Sequence, residues 1–397
     1  MIEQIGIKNF KSLADVTINF KKFNCFVGMN GAGKTSILQA LDFISQQMRG
    51  DLTGWLAARG WTGKDLGFKG GGPHPKIPAT VIEVYYRISS GELIRWIGFF
   101  SRTKLQMVTE IIEILGAEPR ELLRTVGQIY RINGTNHAST FNYEGSILSQ
   151  LKDELLSAPL LELRSALGSI RSLELLSPHL LRKRSRSHVE HIGVGGEKLA
   201  GFLDTIKGVE KENLVTLLKA FYPLLTGFKI STAKGGWKRL VISESRVKDE
   251  TEENISVETD AIHLNDGLLR ILAILAQAEA NDAHLLLLDE IENGINPEII
   301  EKLVNILVNS SAQIAVTTHS PMILNYFDDA IASDAVQFVY KGPNGQTGVR
   351  PFFSIPRVAE KLKYMGPGEA FIDTNLHELT DECIHLDRDM AVIQEPA

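Results

Sequence analysis

Apolar and polar residues alternate over positions 2–7 (Ile2, Ile5, Ile7) and 14–20 (Val16, Ile18, Phe20), the period of two half-buried strands. A short uninterrupted apolar run, 23–27, ends at Gly28 and predicts a fully buried strand that takes Cys25 with it. From Thr35 the period changes: Ile37, Leu38, Leu41 and Ile44 recur at helical spacing. Residues 50–78, rich in Gly, Pro and Trp, predict a long surface loop, and 81–88 with 93–100 a strand pair joined at Ser-Ser-Gly. The stretches 107–115 and 121–126 are helical candidates, with another strand pair near 127–143. Residues 146–226 are expected to be mostly helical, broken near Pro159, Pro178 and 193–196. A strand pair at 228–231 and 238–243 follows, then an acidic turn at 249–253. Beyond it the pattern predicts an apolar helix over 268–279, a buried strand at 285–288, a helix near 297–309 and a buried strand at 313–317. No repeat of fixed period and no heptad run long enough for an extended coiled coil is visible.

The chain has 397 residues, enough for two or three domains or one large domain with an insertion. With 44% hydrophobic and 23% charged residues it is of ordinary globular composition. A net charge of −6 excludes a generally basic nucleic-acid coat and leaves room for a local basic patch. Two cysteines, Cys25 and Cys383, supply neither a disulfide framework nor a cysteine zinc site. The first eight residues mix charge with apolar side chains, unlike a signal peptide, and no apolar stretch approaches membrane length. A cytoplasmic protein with no membrane contact is expected.

Gly28-Met29-Asn30-Gly31-Ala32-Gly33-Lys34-Thr35 fits G-x-x-x-x-G-K-[ST] between a predicted strand and a predicted helix. Glycines let backbone N–H groups turn inward around phosphate oxygens, and the helix presents its positive end to the same anion. Asn30, Gly31, Ala32, Gly33, Lys34, Thr35 and Ser36 are the expected phosphate contacts. Lys34 would neutralise the β and γ phosphates, and the Thr35 hydroxyl would ligate Mg²⁺. The apolar strand 285–288 runs into Asp289 and Glu290, and a buried strand does not end on two carboxylates unless they face a ligand or a loop. Asp289 is expected in the Mg²⁺ shell and Glu290 as the base that polarises water, with Glu292 as the alternative base. Leu264-Asn265-Asp266-Gly267-Leu268 opens the apolar helix, where Asn265 or Asp266 can cap it, and Thr317-Thr318-His319-Ser320-Pro321 follows a buried strand.

In this order the motifs resemble those of the RecF/SMC/OLD-type ABC ATPases, the group that includes stand-alone AAA-family ATPases of prokaryotic antiphage defence. Ile5-Gly6-Ile7-Lys8-Asn9-Phe10-Lys11-Ser12-Leu13 is similar to the opening of that group. Asn265-Asp266-Gly267-Leu268 resembles its signature, Asp289 through Pro297 its Walker B with D-loop, and Thr318-His319-Ser320-Pro321 its switch-histidine element. The resemblance covers roughly 1–45 and 260–325. It implies an α/β fold, an ABC-type P-loop head with a mostly helical insertion. The expected layout is an N-terminal head lobe at 1–100, the insertion at 101–235, a C-terminal head lobe at 236–350 and an extension at 351–397. The family implies ATP and Mg²⁺ as cofactors. ATP would lie between two heads, with the phosphate loop of one copy facing Asn265, Asp266 and Gly267 of the other and His319 sensing the γ-phosphate. Gln150 is the candidate for the family's metal-binding glutamine loop, its plain alternative being a surface helix residue.

Too few residues separate the motifs for SMC-length arms. The 77 residues after Ser320 hold one carboxylate group, Asp381, Glu382, Asp387 and Asp389, which reads as a solvated helix and not as a nuclease centre. An ATPase without an effector centre implies a separately encoded effector, a nuclease by the family's habit, together with self-association. Arg182, Lys183, Arg184 and Arg186 are either a solvated face or a contact for DNA, RNA or an acidic partner. A RecF-like repair ATPase and an ATP-gated scaffold are the rival functions.

Overall fold

The computed structural model describes residues 1–71, 79–186, 189, 191–247, 254–279 and 283–394. The acidic stretch 249–253 and the Pro-rich end of the 50–78 segment lie outside the described residues. Two compact units make up the chain, Met1–Ile170 with Phe327–Ala397, and Arg171–Tyr326.

In the first unit β1 (Ile2–Phe10) and β2 (Leu13–Asn19) form a hairpin, and β3 (Phe23–Val27) is buried along its whole length. After the phosphate loop comes α1 (Lys34–Arg49), then α2 (Leu52–Ala58). Strands β4 (Ala79–Arg87), β5 (Leu93–Ser101), β6 (Gln106–Leu115), β7 (Arg120–Val126), β8 (Ile129–Ile132) and β9 (Thr135–Ala138) complete an antiparallel sheet of order β2-β1-β4-β5-β6-β7-β8-β9. Phe43 of α1 joins helix to sheet: its ring stacks on Phe10 at 5.1 Å and meets Phe100 edge-on at 5.0 Å. Two 3₁₀ turns lead to α3 (Ala158–Gly168), which packs against α1.

Two expectations fail here. The helical candidates at 107–115 and 121–126 are strands β6 and β7. Met107, Glu110, Ile112 and Ile114 all point inward from β6. The buried Glu110 breaks the apolar run, a bulge at Val108 shifts the phase of β6 between Met107 and Glu110, another at Leu122 does the same in β7, and the sequence then imitates a helical period. The insertion is therefore stranded in its first part, and from about residue 146 short helices alternate with loops and strands instead of filling it. Within the supposed loop 50–78, α2 forms because Asp51 caps it at Gly54 N and Leu52, Trp55 and Leu56 find a core. Trp55 Nε1 and Arg59 both donate to the buried Asp42 of α1, each at 2.7 Å.

The chain enters the second unit along β10 (Ile170–Leu173) and continues through α4 (Pro178–Leu181), α5 (Leu199–Leu203) and α6 (Gly208–Phe221). A meander of β11 (Leu225–Thr232), β12 (Lys238–Val247) and β13 (Asn254–Asp260) follows; only its first two strands are legible in the sequence. Next come α7 (Asp266–Glu279), β14 (Leu285–Leu288), α8 (Pro297–Val308), β15 (Gln313–Thr317) and α9 (Pro321–Leu324). β14 and β15 are parallel, with Leu288 beside Val316, and both are wholly buried.

Back in the first unit, α10 (Asp329–Ala335) leads into β16 (Val336–Lys341), which lies parallel to β3, and β17 (Thr347–Pro351) returns antiparallel. Helices α11 (Pro356–Lys361), α12 (Pro367–Ile372) and α13 (Leu376–Gln394) close the chain. The expected solvated helix at the C-terminus is instead docked. Leu379 and Cys383 are fully buried, Asp387 accepts from Tyr340 and Arg350, and Glu382 pairs with Arg357. Burial pushes the Cys383 thiol up to about 12, which leaves it inert. Among the described residues no helix is long and apolar enough to cross a membrane.

Candidate functional site

In the first unit β3 delivers the chain to Gly28 in parallel register with β16, and the loop turns at once. A Cβ on Gly28 would lie 2.0 Å from the Val339 carbonyl oxygen, so only glycine lets the strand end there. Gly33 has φ 113°, and its Cβ would lie 2.0 Å from the Thr347 hydroxyl. Between them Asn30 and Gly31 are exposed, Ala32 is buried, and Thr35 and Ser36 open α1 at the surface. The helix starts without a side-chain cap and without an acidic residue in its first turn, so no carboxylate offsets the positive end it presents to the loop. Lys34 Nζ, nearly buried, donates to the Gly28 and Met29 carbonyls at 2.9 and 3.2 Å. The ammonium thus sits inside the curve of the loop.

The loop has supports that the sequence did not disclose. Thr347 of β17 donates to the Ala32 carbonyl and pairs with the Ser12 hydroxyl, both at 2.8 Å, and its N–H reaches the Ser12 carbonyl at 2.8 Å. Strands β1–β2 and β16–β17, from opposite ends of the chain, clamp the loop through one threonine. Beside this clamp lies a cavity of about 400 Å³ lined by Lys11, Ser12, Asp65, Phe68, Lys69 and Lys341.

Gln150 is not part of this arrangement. It lies next to Gly50, where a Cβ would be 2.9 Å from its Nε2, at the far end of α1 from Lys34. Sixteen helical residues separate the two ends, about 24 Å at 1.5 Å per residue. A metal held by Thr35 is out of its reach, and the expectation that Gln150 ligates it is withdrawn.

In the second unit the ends of β14 and β15 bring three predicted residues together. Thr317 Oγ1 donates to Asp289 Oδ1 at 2.5 Å and accepts from Glu290 N at 2.8 Å. Glu290 sits at φ 49°, a left-handed conformation that costs a non-glycine residue about 1–3 kcal/mol and survives only where surroundings impose it. Its carboxylate accepts from Asn293 Nδ2 at 3.3 Å and faces His319 Nε2 at 3.9 Å, both side chains over a third exposed. Glu292 is occupied differently: it accepts from the His319 backbone N–H at 2.7 Å, and its other oxygen is buried. Thr318 Oγ1 accepts from Ser320 N at 2.9 Å and fixes the turn that carries His319. Between the two candidate bases, the geometry leaves Glu290 the carboxylate open to a ligand.

Asn265, exposed, caps α7 by accepting from Leu268 N at 2.7 Å. Arg182 holds the residues on either side of Asn265: its Nη2 donates to the Leu264 carbonyl at 2.7 Å and to Asp266 Oδ1 at 2.5 Å. Arg182 is therefore committed to this turn, which removes it from the proposed nucleic-acid contact. Gly267 lies beside the Gly294 carbonyl and the Tyr222 hydroxyl. One turn on, Arg270 is buried in an otherwise apolar helix and donates to the Asn293 carbonyl. Burial lowers its pKa, opposed by the charges of Asp266 and Glu290. A bonded path thus runs from the start of α7 through Arg270 and Asn293 to Glu290. The sequence held the signal, since Arg270 is the one charged residue between Leu268 and Ala278.

The Thr35 hydroxyl in the first unit and the Asp289 carboxylate in the second are each oxygen donors of the kind a hard divalent cation takes, and a cluster of three or more His, Cys, Asp or Glu side chains able to hold a metal unaided is not found among the described residues.

Fold and motifs define a class, the RecF/SMC/OLD-like ABC-type ATPases of α/β P-loop fold. The model of a family described as "AAA domain, putative AbiEii toxin, Type IV TA system" matches residues 116–325, more than half of the chain, and the chain belongs to that family. A second model, "AAA ATPase domain", matches residues 1–69. The DNA replication and repair protein RecF of Bacteroides fragilis is 48% identical over 46 residues, and that of Porphyromonas gingivalis 52% over 46. These stretches are 11% of this chain and 12% and 13% of those proteins, so the chain matches about an eighth of its curated relatives' length. The OLD nuclease of Thermus scotoductus is 41% identical over 44 residues, 11% of this chain and 8% of that protein. Among solved structures, an Smc head bound to the C-winged helix domain of ScpA superposes with TM-score 0.52 at 17% identity, covering 88% of this chain and 96% of that one. The Pyrococcus furiosus Smc head, with an extended coiled coil and the C-terminal domain of ScpA, gives 0.50 at 14%, covering 91% and 99%. At such identities the likeness concerns the fold alone.

Proposed function

We propose that the chain hydrolyses ATP to ADP and phosphate as the switching subunit of an antiphage defence complex. Two copies of the head, each built from both ends of the chain, close on ATP and control a separately encoded effector, a nuclease by chemistry. The backbone N–H groups of the phosphate loop and Lys34 hold the β and γ phosphates, and the cavity at Lys11, Phe68 and Lys69 takes the nucleoside. Thr35 and Asp289 hold Mg²⁺, which when bound screens the phosphate charge. Glu290 accepts a proton from the attacking water, and His319 hydrogen-bonds the γ-phosphate. Asn265 and the N–H groups at the start of α7 reach the γ-phosphate held by the second copy, so that hydrolysis separates the two.

One observation carries the proposal: Glu290 is held in a strained backbone conformation by Thr317, with its carboxylate turned to His319. A scaffold that only binds ATP has no use for a positioned base. The family's toxin–antitoxin description and the OLD relative support a defence role. The test is phage plating on cells carrying the native gene neighbourhood with wild-type protein, Lys34→Ala or Glu290→Gln. Protection is expected only with wild type, and equal protection by all three would sink the proposal. The N-terminal identity to RecF favours a second reading, a repair ATPase. ATP-dependent binding to duplex ends by the chain alone would support it.

A further inference from the structure

The basic run at 182–186 divides in the structure. Arg182 is held by Leu264 and Asp266, while Ser185 forms an antiparallel bridge to Lys238 of β12, with Lys238 N donating to Ser185 O at 2.7 Å. That bridge lays the segment alongside the tip of the β11–β12 hairpin. Ser185 is buried, so its neighbours Arg184 and Arg186 lie on the outer face by strand alternation. The tip is Lys234-Gly235-Gly236-Trp237, closed by Ala233 N donating to Trp237 O at 2.8 Å. The Arg186 guanidinium stands 4.7 Å from the Trp237 ring centroid, and the indole is still 38% exposed.

Charge at this place is not balanced. Lys238 pairs with Asp204 and Arg239 with Asp260. Lys183, Arg184, Arg186 and Lys234 are exposed and have no acidic partner among the described residues. In a chain of net charge −6, four cations without an acidic partner among the described residues thus lie on the 183–186 segment and the hairpin tip beside it, which also carries the exposed indole. Four like charges held together repel one another, and an anionic ligand relieves that cost.

We propose that Lys183, Arg184, Arg186, Lys234 and Trp237 form a binding site for single-stranded nucleic acid. The cations take consecutive phosphates, and an unpaired base stacks on the exposed part of the indole, beside the Arg186 guanidinium. A duplex buries its base faces and offers Trp237 nothing to stack on, and an acidic peptide offers charge without a planar group.

The test is fluorescence anisotropy of the full-length protein with a labelled oligothymidylate of about 20 nucleotides, titrated between roughly 50 and 200 mM salt. Binding is expected with a log–log salt slope of about −3, from about −0.7 for each of four phosphates. Trp237→Ala should weaken binding about 5- to 150-fold with the slope unchanged, and Trp237→Phe should recover most of the loss. Alanine at Lys183, Arg184, Arg186 and Lys234 together should flatten the slope. Each of three results would overturn the proposal: no binding at 50 mM salt, equal binding by Trp237→Ala, or equal affinity for a duplex of the same length or for oligoglutamate. Steady-state ATP hydrolysis by the same preparations should be unaltered by these substitutions. If the wild type binds the oligonucleotide but hydrolyses no ATP, the ATPase proposal fails and this one stands.

Discussion

Glu290, Arg270 and Glu110 show how single residues carry cost in this protein. Arg270 spends the desolvation of a guanidinium to hold the Asn293 carbonyl, and Asn293 holds Glu290. Replacing it with methionine removes the buried charge, which a core often tolerates, but frees the segment that positions Glu290. Arg270→Met should leave ATP affinity and folding nearly intact and lower kcat on the order of 10²-fold, with Arg270→Lys intermediate. A parallel loss of affinity or of Tm would mean that the residue only supports the core. Glu110 is wholly buried; burial pushes its carboxyl up to about 7, against the Ser146, Ile147 and Trp96 groups that donate to it. The folded protein therefore keeps a proton that the unfolded chain releases near 4.5. Stability should fall as pH rises from about 4.5 to 7, by at most about 3 kcal/mol, and level off above. Thermal melts of wild type and Glu110→Gln across that range test this: the wild type should lose ground steadily, and a constant gap would contradict it.

At the scale of elements, the phosphate loop depends on a strand more than 300 residues away in sequence. Thr347→Val removes the donor to Ala32 O and the hydrogen-bond partner of the Ser12 hydroxyl without changing shape. ATP should bind about 5- to 15-fold more weakly by calorimetry, the worth of one or two hydrogen bonds. Unchanged affinity would show that the loop holds its shape alone. This dependence marks what could be read beforehand. The glycines, Lys34 and the strand–loop–helix order are local and legible, as is Asp289-Glu290 at the end of an all-leucine strand. Thr347 and Ser12 look like ordinary polar residues until β17 returns beside β2. β6 and β7 imitate a helical period because Glu110, buried against Trp96 and Ser146, stands where alternation demands an apolar side chain in the one, and a bulge at Leu122 breaks the alternation of the other. α2 was missed because its core, Asp42 and Phe43, belongs to another element. Gln150 failed on distance, which sequence spacing does not contain.

For the molecule as a whole, both chain termini contribute to one unit, with the segment between them forming the other. The phosphate loop belongs to the first, and the acidic strand end, His319 and the start of α7 to the second. The proposed hydrolysis can be isolated at Glu290, because its replacement takes away the proposed proton acceptor and none of the proposed phosphate contacts. The direct measurement is single-turnover phosphate release from Mg·ATP by wild type and Glu290→Gln, with bound nucleotide quantified in each. The two proteins should bind ATP equally, and the variant should release phosphate about 10²- to 10⁴-fold more slowly. Equal rates in the two, or a folded wild type that binds no ATP, would contradict the assignment.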